Sequence, residues 1–469
     1  MPTTNSAAPF PPVDYAGWKA GVEAELGPGA VTRRLRATTE DGIGIEPLYA
    51  PGAPGDAHAK DPAGMVAGLL GEGAAGWKIR QRFAAGSART AVDAALAGGV
   101  QSIEFTWDGV EELQAILAVM PELGRAGIET SFEGNFARSL MGTGVHLGNF
   151  GAISFGLDPI HSFLRGESLT GELAHDVGMV GLNTQWSRPG DMLLRASGDL
   201  FFNAGATTGM TLGFAMAAAL AYLRAAEATA EATEVSLERA SAVLEVRLPC
   251  GPRFFESAAM LRAARLVWAR ILEVSGIAPT PLRLVAISGR RTLTRHDPWN
   301  NALRNTAVAF AAAVGGADVL QLLPHDARTA APGAAALRLA RTTGLILQEE
   351  AYLGKVMDPA GGSWFLESLT ADLAGKAWEE LRWIDAAGGI VTAIESGELN
   401  RRIAEAATAR HERVMDGRHP ILGVSEHPIE GEHAPRSPQE IVDEAAGPLL
   451  PLRPDALPFE VLRDGEAAR

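Results

Sequence analysis

The stretch HDPWNNALRNTAVAFAAAVGGADVLQLLPHDA, residues 296–327, contains the parts of one helix–strand unit in order. Its start mixes charged, amide and aromatic residues, its middle is almost entirely Ala and Val, and its end is an apolar run closed by Pro-His-Asp. The middle predicts a buried helix and the end predicts a strand followed by polar side chains. We expect Asp297 to cap the helix and Pro298 to be its first residue. The unit is compatible with an active site, and equally with the remnant of one.

Seven further strand-like runs precede this one, and helical runs separate most of them. The predicted strands cover residues 79–83, 102–107, 128–135, 152–158, 192–199, 243–251, 282–290 and 319–326. The clearest helices cover residues 207–231, 255–276 and 298–315. Eight such units over about 250 residues predict an α/β fold of the (β/α)₈ TIM-barrel type. A doubly wound sheet also alternates, but its central strands are continuously apolar, whereas these strands carry polar residues at alternate positions.

The barrel is expected to span residues 61–410. A Pro-rich N-terminal arm and linker, residues 1–60, precedes it, and a Pro- and charge-rich tail, residues 411–469, follows it. Within the arm, the pattern predicts a helix over residues 15–26 and a strand pair around the Asp41-Gly42 turn.

Composition excludes several classes of protein. The formal net charge of −15 argues against nucleic acid and acidic membranes, because both favour basic surfaces. A single cysteine, Cys250, leaves no internal disulfide and no Cys-based zinc site, which is typical of a cytoplasmic protein. The N-terminus lacks a secretory signal, and the most apolar stretch, residues 210–223, is expected to be too short and too Ala-rich to cross a bilayer.

Catalytic signatures that residues alone can establish are absent from the sequence. It contains no Walker loop, no Gly-x-Ser-x-Gly elbow and no His-Glu-x-x-His motif, and its ten histidines do not follow metal-ligand spacing. Asn301 and Arg304 share one face of the predicted helix, either as site residues or as braces of a loop. DPAGGSW, residues 358–364, predicts a turn cluster leading into a short strand. The residues alone indicate a cytoplasmic TIM barrel with partners.

Six ordered motifs nevertheless resemble one family, the adenosylcobalamin-dependent methylmalonyl-CoA mutases. They are DGIGIEPLYAPG (41–52), WKIRQ (77–81), LRAARLVWA (261–269), TLTRHDPWNNALRNT (292–306), RLARTTGLILQEEAYLGKVMDPAGGSWFLESLT (338–370) and ILGVSEHP (421–428). The resemblance implies a barrel that holds acyl-CoA and a separate flavodoxin-like domain that holds cobalamin. It implies radical interconversion of methylmalonyl-CoA and succinyl-CoA. Several bacterial members pair a catalytic large subunit with a small subunit of related fold.

The sequence departs from the family's cobalamin-binding pattern. Members that bind the cofactor carry an Asp-x-His-x-x-Gly motif whose His is the lower cobalt ligand. The only Asp-x-His here is Asp56-Ala57-His58, which lacks the Gly, and the chain ends about forty residues after ILGVSEHP. We therefore expect no flavodoxin-like domain and no cofactor bound by this chain, with adenosylcobalamin in the partner subunit.

The catalytic positions of the resembled enzymes are also degenerate. Active members carry Tyr-His after the Ser-Gly of the fifth barrel strand, whereas here Asp199 and Leu200 follow Ser197-Gly198. A Leu side chain cannot supply the hydrogen bond that His gives to a thioester carbonyl. Active members also carry a Tyr five residues before the Trp of W-x-I-R-Q, where this chain has Glu72. No catalytic, substrate-binding or metal-binding residue is assigned on this basis.

These departures predict the non-catalytic small subunit of a heterodimeric methylmalonyl-CoA mutase, which would stabilise the catalytic large subunit. HDPWNNALRNT and DPAGGSW are closer to the small-subunit form, and the arm, about residues 1–50, is expected to wrap the partner. The main alternative is a catalytic acyl-CoA barrel that takes cobalamin from a separate small B12-binding chain. A third is a scaffold unrelated to mutases. The acyl-CoA substrate, any residual CoA binding and assembly beyond a heterodimer stay open.

Alternation along the strands predicts the side chains that face the barrel axis, if the more apolar face points to the helices. This inward set is Arg80, Arg82, Glu104, Thr106, Glu129, Ser131, Glu133, Ser154, Asp158, Arg195, Ser197, Asp199, Glu245, Arg247, Arg283 and Gln321. Buried charges persist only when paired, because an unpaired one costs several kcal/mol. We expect an Arg–Glu network that leaves no continuous CoA tunnel, with some members at the barrel mouths as the alternative. Its members are Arg80, Arg82, Glu104, Glu129, Arg195, Glu245, Arg247 and Arg283.

Overall fold

Eight parallel strands close into a barrel in the computed structural model of the chain. The structure describes residues 13–50, 66, 69, 76–84, 88–106, 110–133, 151–168, 170–186, 188, 190–329 and 333–429. A two-stranded hairpin, β1 (Ala37–Thr38) and β2 (Gly44–Ile45), precedes the barrel. The barrel strands are β3 (Lys78–Ala84), β4 (Ser102–Thr106), β5 (Glu129–Phe132), β6 (Ile153–Leu157), β7 (Met192–Ser197), β8 (Leu244–Cys250), β9 (Arg283–Ser288) and β10 (Val319–Gln321).

Each barrel strand pairs with its neighbours in chain order, and β10 closes the barrel against β3. This order confirms the predicted (β/α)₈ fold. The predicted strands overshoot at their carboxyl ends: the run expected over residues 319–326 ends at Gln321, and the run over 128–135 ends at Phe132. The polar residues beyond these points leave the sheet and form the loops at the mouth of the barrel, where TIM barrels place their active sites.

Helices surround the barrel and follow most of its strands. They are α1 (Tyr15–Leu26), α2 (Ala88–Ala97), α3 (Val110–Arg125), α4 (Pro159–Leu164), α5 (Leu173–Asn183), α6 (Asp199–Asn203), α7 (Thr208–Thr233), α8 (Leu237–Ala242), α9 (Phe254–Val274), α10 (Asn300–Val314), α11 (Ala334–Glu349), α12 (Trp364–Ala386), α13 (Ile390–Glu395) and α14 (Glu398–Met415). The outward apolar side chains of most strands form one core with the helices, including Phe105, Phe155 and Leu248.

The most apolar helix is longer than the sequence pattern suggested. α7 runs for 26 residues, so the expectation that its apolar stretch is too short to cross a bilayer was wrong on length. In length and composition α7 could cross a membrane, but 72% of its apolar window is buried inside the protein. Its Ala-rich surface packs against α5 and α12, which is the environment of a core helix.

One predicted helix start and one predicted strand were wrong. α10 begins at Asn300 rather than at Pro298, because Asp297 has a left-handed backbone with φ of 45° and does not cap the helix. DPAGGSW leads into α12 instead of a strand, with the Ser363 hydroxyl accepting a hydrogen bond from the Leu366 N–H. The helix predicted over residues 15–26 and the strand pair around Asp41-Gly42 are confirmed.

Candidate functional site

Strand register brings the inward side chains into layers across the barrel axis. Ser102 on β4 pairs with Glu129 on β5, while Arg195 on β7 pairs with Glu245 on β8. Residues that share a layer face one another across the interior, because side chains alternate between the two faces of each strand. The interior therefore has three charged layers, which run from the amino end of the strands to their carboxyl end.

The layer at the amino end is centred on Glu129. Its carboxylate accepts hydrogen bonds from Arg80 Nη2 at 2.7 Å, from Arg283 Nη2 at 2.6 Å and from Lys78 Nζ at 2.9 Å. β5 and β9 lie on opposite sides of the eight-stranded barrel, so the Arg283–Glu129 contact crosses the axis. Burial alone would raise the pKa of Glu129, but Arg283, Arg80 and Lys78 hold it well below its usual range.

The middle layer joins Glu104 and Glu245 through Arg195. Arg195 donates from Nε to Glu245 at 2.7 Å and from Nη1 to Glu104 at 3.2 Å. Glu104 also accepts from Arg82 Nε at 2.8 Å and from Gln321 Nε2 at 2.9 Å. Burial opposes ionisation of both glutamates, yet the surrounding guanidinium groups lower the pKa of each to about 2.

Gly156 makes room for this layer. Its φ is +63°, and the pairing of β6 with β7 shifts register between Ser154 and Leu157. A Cβ at this position would clash with the Phe132 carbonyl oxygen and lie 2.9 Å from Arg195 Nη1. The glycine thus lets a strand bend away from a guanidinium group that fills the axis.

The third layer lies at the carboxyl end of the strands. Arg247 Nη2 lies 3.0 Å from Glu133 Oε1 and 3.4 Å from Asp199 Oδ2, while Arg82 Nη2 lies 3.0 Å from Glu133 Oε2. Burial alone would raise the pKa of Asp199, but chiefly Arg247 lowers it. Asp199 stands where the resembled enzymes have a catalytic Tyr, and here it is a partner of Arg247.

The sequence did not predict that His161 would join this layer. Its Nε2 lies 3.6 Å from Glu133 Oε1 and its Nδ1 lies 3.5 Å from Asp199 Oδ1. One His and two carboxylates this close are a possible metal-ligand set. Each ring nitrogen faces a different carboxylate, however, and Arg247 already contacts both, so the arrangement suits charge pairing better than chelation. Its members follow three different strands, β5, β6 and β7, which spacing in the sequence cannot reveal.

The buried carboxylates of the three layers are matched in number by arginines. Four glutamates and one aspartate (Glu104, Glu129, Glu133, Glu245 and Asp199) face five arginines (Arg80, Arg82, Arg195, Arg247 and Arg283). Lys78 and Arg165 add contacts at the two ends. The structure thus brings together all eight predicted network residues. It also adds a small apolar cluster of Val285, Ile287 and Val319 on the same face of β9 and β10, which was not predicted.

Of the other two degenerate positions, Leu200 lies in the described part of the chain and contributes no polar group to the interior. Leu200 is the second residue of α6 and packs, partly buried, against the main apolar core. Glu72 lies outside the residues that the structure describes. Asp199 and Leu200 thus contribute an ion pair and an apolar contact.

The motifs that carry the resemblance brace the barrel. Asn301 accepts a hydrogen bond from the Thr294 N–H and donates to the His325 carbonyl, and Arg304 donates to Thr294 and to the Leu422 carbonyl. These bonds tie the loops after β9 and β10 to the ILGVSEHP segment, as the brace interpretation of Asn301 and Arg304 expects. In the same way Arg262 pairs with Glu367 at 2.6 Å and with Asp358, which joins LRAARLVWA to DPAGGSW.

The N-terminal hairpin is fixed to the carboxyl mouth of the barrel. Glu40 accepts from Arg410 Nη1 and lies 3.3 Å from Arg253 Nη2, and Asp41 accepts from the Gly209 N–H at the start of α7. The cavity bordered by Glu40, Arg253 and Arg410 measures about 50 Å³. This volume accommodates a few water molecules and no acyl-CoA.

Comparison with known proteins gives consistent matches. The family model for methylmalonyl-CoA mutase matches residues 187–447. The methylmalonyl-CoA mutase small subunit of Streptomyces virginiae is 36% identical over 462 residues, which is 92% of this chain and 74% of that relative. The small subunit of Propionibacterium freudenreichii subsp. shermanii is 31% identical over 474 residues, with 92% and 71% covered.

Similarity to a large subunit is shorter. The methylmalonyl-CoA mutase large subunit of Streptomyces virginiae is 36% identical over 183 residues, which is 38% of this chain and 25% of that relative. The small subunits, in contrast, match along nearly the whole chain. These matches confirm the resemblance seen in the motifs. The chain belongs to the methylmalonyl-CoA mutase family.

Proposed function

We propose that this chain is the non-catalytic small subunit of a methylmalonyl-CoA mutase and that it stabilises the catalytic large subunit, which carries out the isomerisation. The observation that carries the proposal is the charged network across the barrel axis. Arg283 reaches Glu129 on the opposite strand, and Arg247 Nη1 approaches Glu104 Oε2, also on an opposite strand, to 3.7 Å. A pantetheine arm cannot pass along the same axis without displacing these buried ion pairs.

The mouth of the barrel supports the same conclusion. A thioester carbonyl would need a hydrogen-bond donor near the end of β7, where this chain has Asp199 and Leu200. Asp199 is an acceptor committed to Arg247, and Leu200 has no polar atom. We therefore assign no catalytic residue to this chain.

Adenosylcobalamin, the cofactor of the family, is assigned to the partner subunit. The only Asp-x-His in the sequence, Asp56-Ala57-His58, lacks the Gly of the cobalt-ligand motif and lies outside the described part of the chain. Two of the described histidines have charged neighbours on both sides: His161 lies between two carboxylates and His419 lies between two guanidinium groups. These two histidines are engaged by charged side chains, and we propose that the lower cobalt ligand comes from the partner subunit.

The N-terminal arm is the proposed contact with the large subunit, but only its first part. Residues 37–45 are held by this chain's own barrel through Glu40 and Asp41, so they are not available to wrap a partner. α1 has no buried residue, and an isolated helix of 12 residues is marginal in water. The Tyr15 and Trp18 rings contact each other on its surface, and we propose that a cytoplasmic partner covers them.

Co-expression with the mutase large subunit of the same source tests the proposal. A tag on this chain should recover both subunits, a corrinoid spectrum and mutase activity, whereas the chain alone should show neither spectrum nor activity. Turnover of methylmalonyl-CoA by this chain mixed only with a small B12-binding protein would establish the alternative, a catalytic barrel. Recovery of no large subunit would contradict the proposal.

A further inference from the structure

Exposed apolar side chains gather on one sector of the outer barrel wall. Among the residues that the structure describes, seventeen large apolar side chains are exposed, and eight belong to α10, α11 and the residues beside them. We call these eight the α10–α11 face. They are Trp299, Leu303, Phe310, Leu339, Ile346, Tyr352, Val356 and Met357.

Helix geometry makes this face continuous. Leu303 and Phe310 are seven residues apart on α10, and Leu339 and Ile346 are seven residues apart on α11, so each pair points to one side of its helix. α10 packs against α11, and both contact the 3₁₀ turn Leu353–Lys355. Trp299 stacks on the His325 ring with centroids 4.4 Å apart, yet it remains 69% exposed.

The size of the face indicates a macromolecular partner. From the exposed fractions and the usual areas of such side chains, the eight together present roughly 800 Å². Monomers rarely expose apolar patches above about 300–600 Å², and each side of a stable protein–protein interface buries about 800 Å². Obligate subunit interfaces are also more apolar than transient ones, in agreement with this composition.

We infer that the α10–α11 face binds the catalytic large subunit of the mutase, an inference that rests on the proposed function. The face offers about the area of one side of a standard-size protein–protein interface. The same elements carry exposed charges of both signs, namely Arg338 and Lys355 and also Glu349 and Glu350. This mixture does not favour a partner of strong net charge. Apolar burial is then the main source of affinity, and a single charge placed at its centre should disrupt it.

Two substitutions that introduce a charge, and one matched control, test this surface in the co-expressed full-length complex. Leu303→Glu and Ile346→Glu should each weaken recovery of the large subunit at least tenfold. Met415→Glu, at a residue that is 50% exposed on α14, should leave recovery unchanged. If the wild-type chain binds the large subunit and all three variants bind equally well, this inference is wrong while the proposed function stands.

Thiol protection supplies a second measurement that does not depend on the glutamate variants folding. Cys250 is the only cysteine, it is buried, and burial raises the pKa of its thiol to about 12, so a surface Leu303→Cys thiol reacts selectively with a maleimide. Addition of the large subunit should slow this reaction at least tenfold and leave a Met415→Cys control unaffected.

Two other occupants would overturn the inference in distinguishable ways. Protection of the Leu303→Cys thiol in the isolated chain that vanishes after deletion of residues 430–469 would show that the chain's own tail covers the face. Protection that rises with the concentration of the isolated chain would show that a second copy covers it.

Discussion

The buried side chain of Asp41 fixes the N-terminal hairpin to the barrel but is itself in an unfavourable environment for a charge. Its carboxylate accepts hydrogen bonds from Thr207 and from the Gly209 N–H, which fixes the hairpin to the first turn of α7. Burial raises the pKa of Asp41 to about 6, and the nearby carboxylates of Glu256 and Glu40 raise it further, while the two hydrogen bonds oppose the shift. At neutral pH the folded protein therefore contains an ionised group in an unfavourable environment.

The variant Asp41→Asn should be more stable than the wild type at pH 7. A carboxyl group whose pKa is raised by folding stabilises the fold below its unfolded pKa, and that contribution is lost as the pH rises through about 6. Asn keeps the acceptor oxygen and removes the charge, so we expect a gain on the order of 1 kcal/mol at pH 7 that disappears near pH 4. Urea denaturation at both pH values measures it, and an equal effect at the two pH values would contradict this account.

Leu200 carries a second prediction at the scale of one residue. Leu200→His restores the residue type of active members, but its neighbour Asp199 remains paired with Arg247 and the axis remains filled. We expect no mutase activity in the isolated variant or in the variant supplied with adenosylcobalamin. An assay of methylmalonyl-CoA turnover measures this, with an active large subunit as the positive control. Measurable turnover by the variant would show that the missing His alone accounts for the lack of activity.

At the scale of elements, strand β6 depends on one glycine. Gly156→Ala places a Cβ against the Phe132 carbonyl and Arg195 at a φ of +63°, and we expect it to destabilise the protein by about 2–4 kcal/mol. Gly178→Ala is the matched control, because nothing lies within 4 Å of its Cβ inside α5, where Ala favours the helix. Thermal unfolding of both variants makes the comparison. Equal melting temperatures would show that β6 adjusts freely.

Element identity could be predicted from the sequence because strand and helix periods are local signals. Alternation also grouped the network residues of β3, β4, β5, β7, β8 and β9 on one face, since one register serves a whole strand, but it did not include Val285 and Ile287 of β9. The start of α10 was missed because the left-handed Asp297 removes the cap that its side chain would otherwise supply. His161 was missed because it meets Glu133 and Asp199 only after three separate strands close into a barrel. The pattern within a strand predicts which side chains share a face. Which side chains meet across the barrel axis depends on how the strands close into the barrel.

At the scale of the whole molecule, the charged barrel interior makes the free energy of unfolding depend on pH. Folding lowers the pKa of Glu104 and Glu245 to about 2 and that of Glu129 and Asp199 below the ordinary range. Depressed carboxyl groups stabilise the fold above their unfolded pKa, and this contribution is lost as the pH falls through the folded values. We expect this contribution of the network to be constant above about pH 5 and to fall steeply between about pH 4 and pH 2. Urea unfolding across this range measures it, and unchanged stability at pH 3 would contradict a paired interior.

The middle layer allows the network to be tested as a unit. Glu245→Gln leaves Arg195 without its 2.7 Å partner in a buried site, and removing one member of a buried pair costs about 3–5 kcal/mol. Arg195→Met together with Glu245→Gln removes both charges, so the double variant should be more stable than the sum of the single variants predicts, by about 1–3 kcal/mol. Asp385→Asn is the control, because its pair with Arg224 is half exposed and is worth less than about 1 kcal/mol. Urea titrations of the four proteins and the wild type give the coupling free energy. Additive effects at Arg195 and Glu245 would show that the two groups act independently, whereas coupling would show that the charges filling this barrel stabilise it as one network.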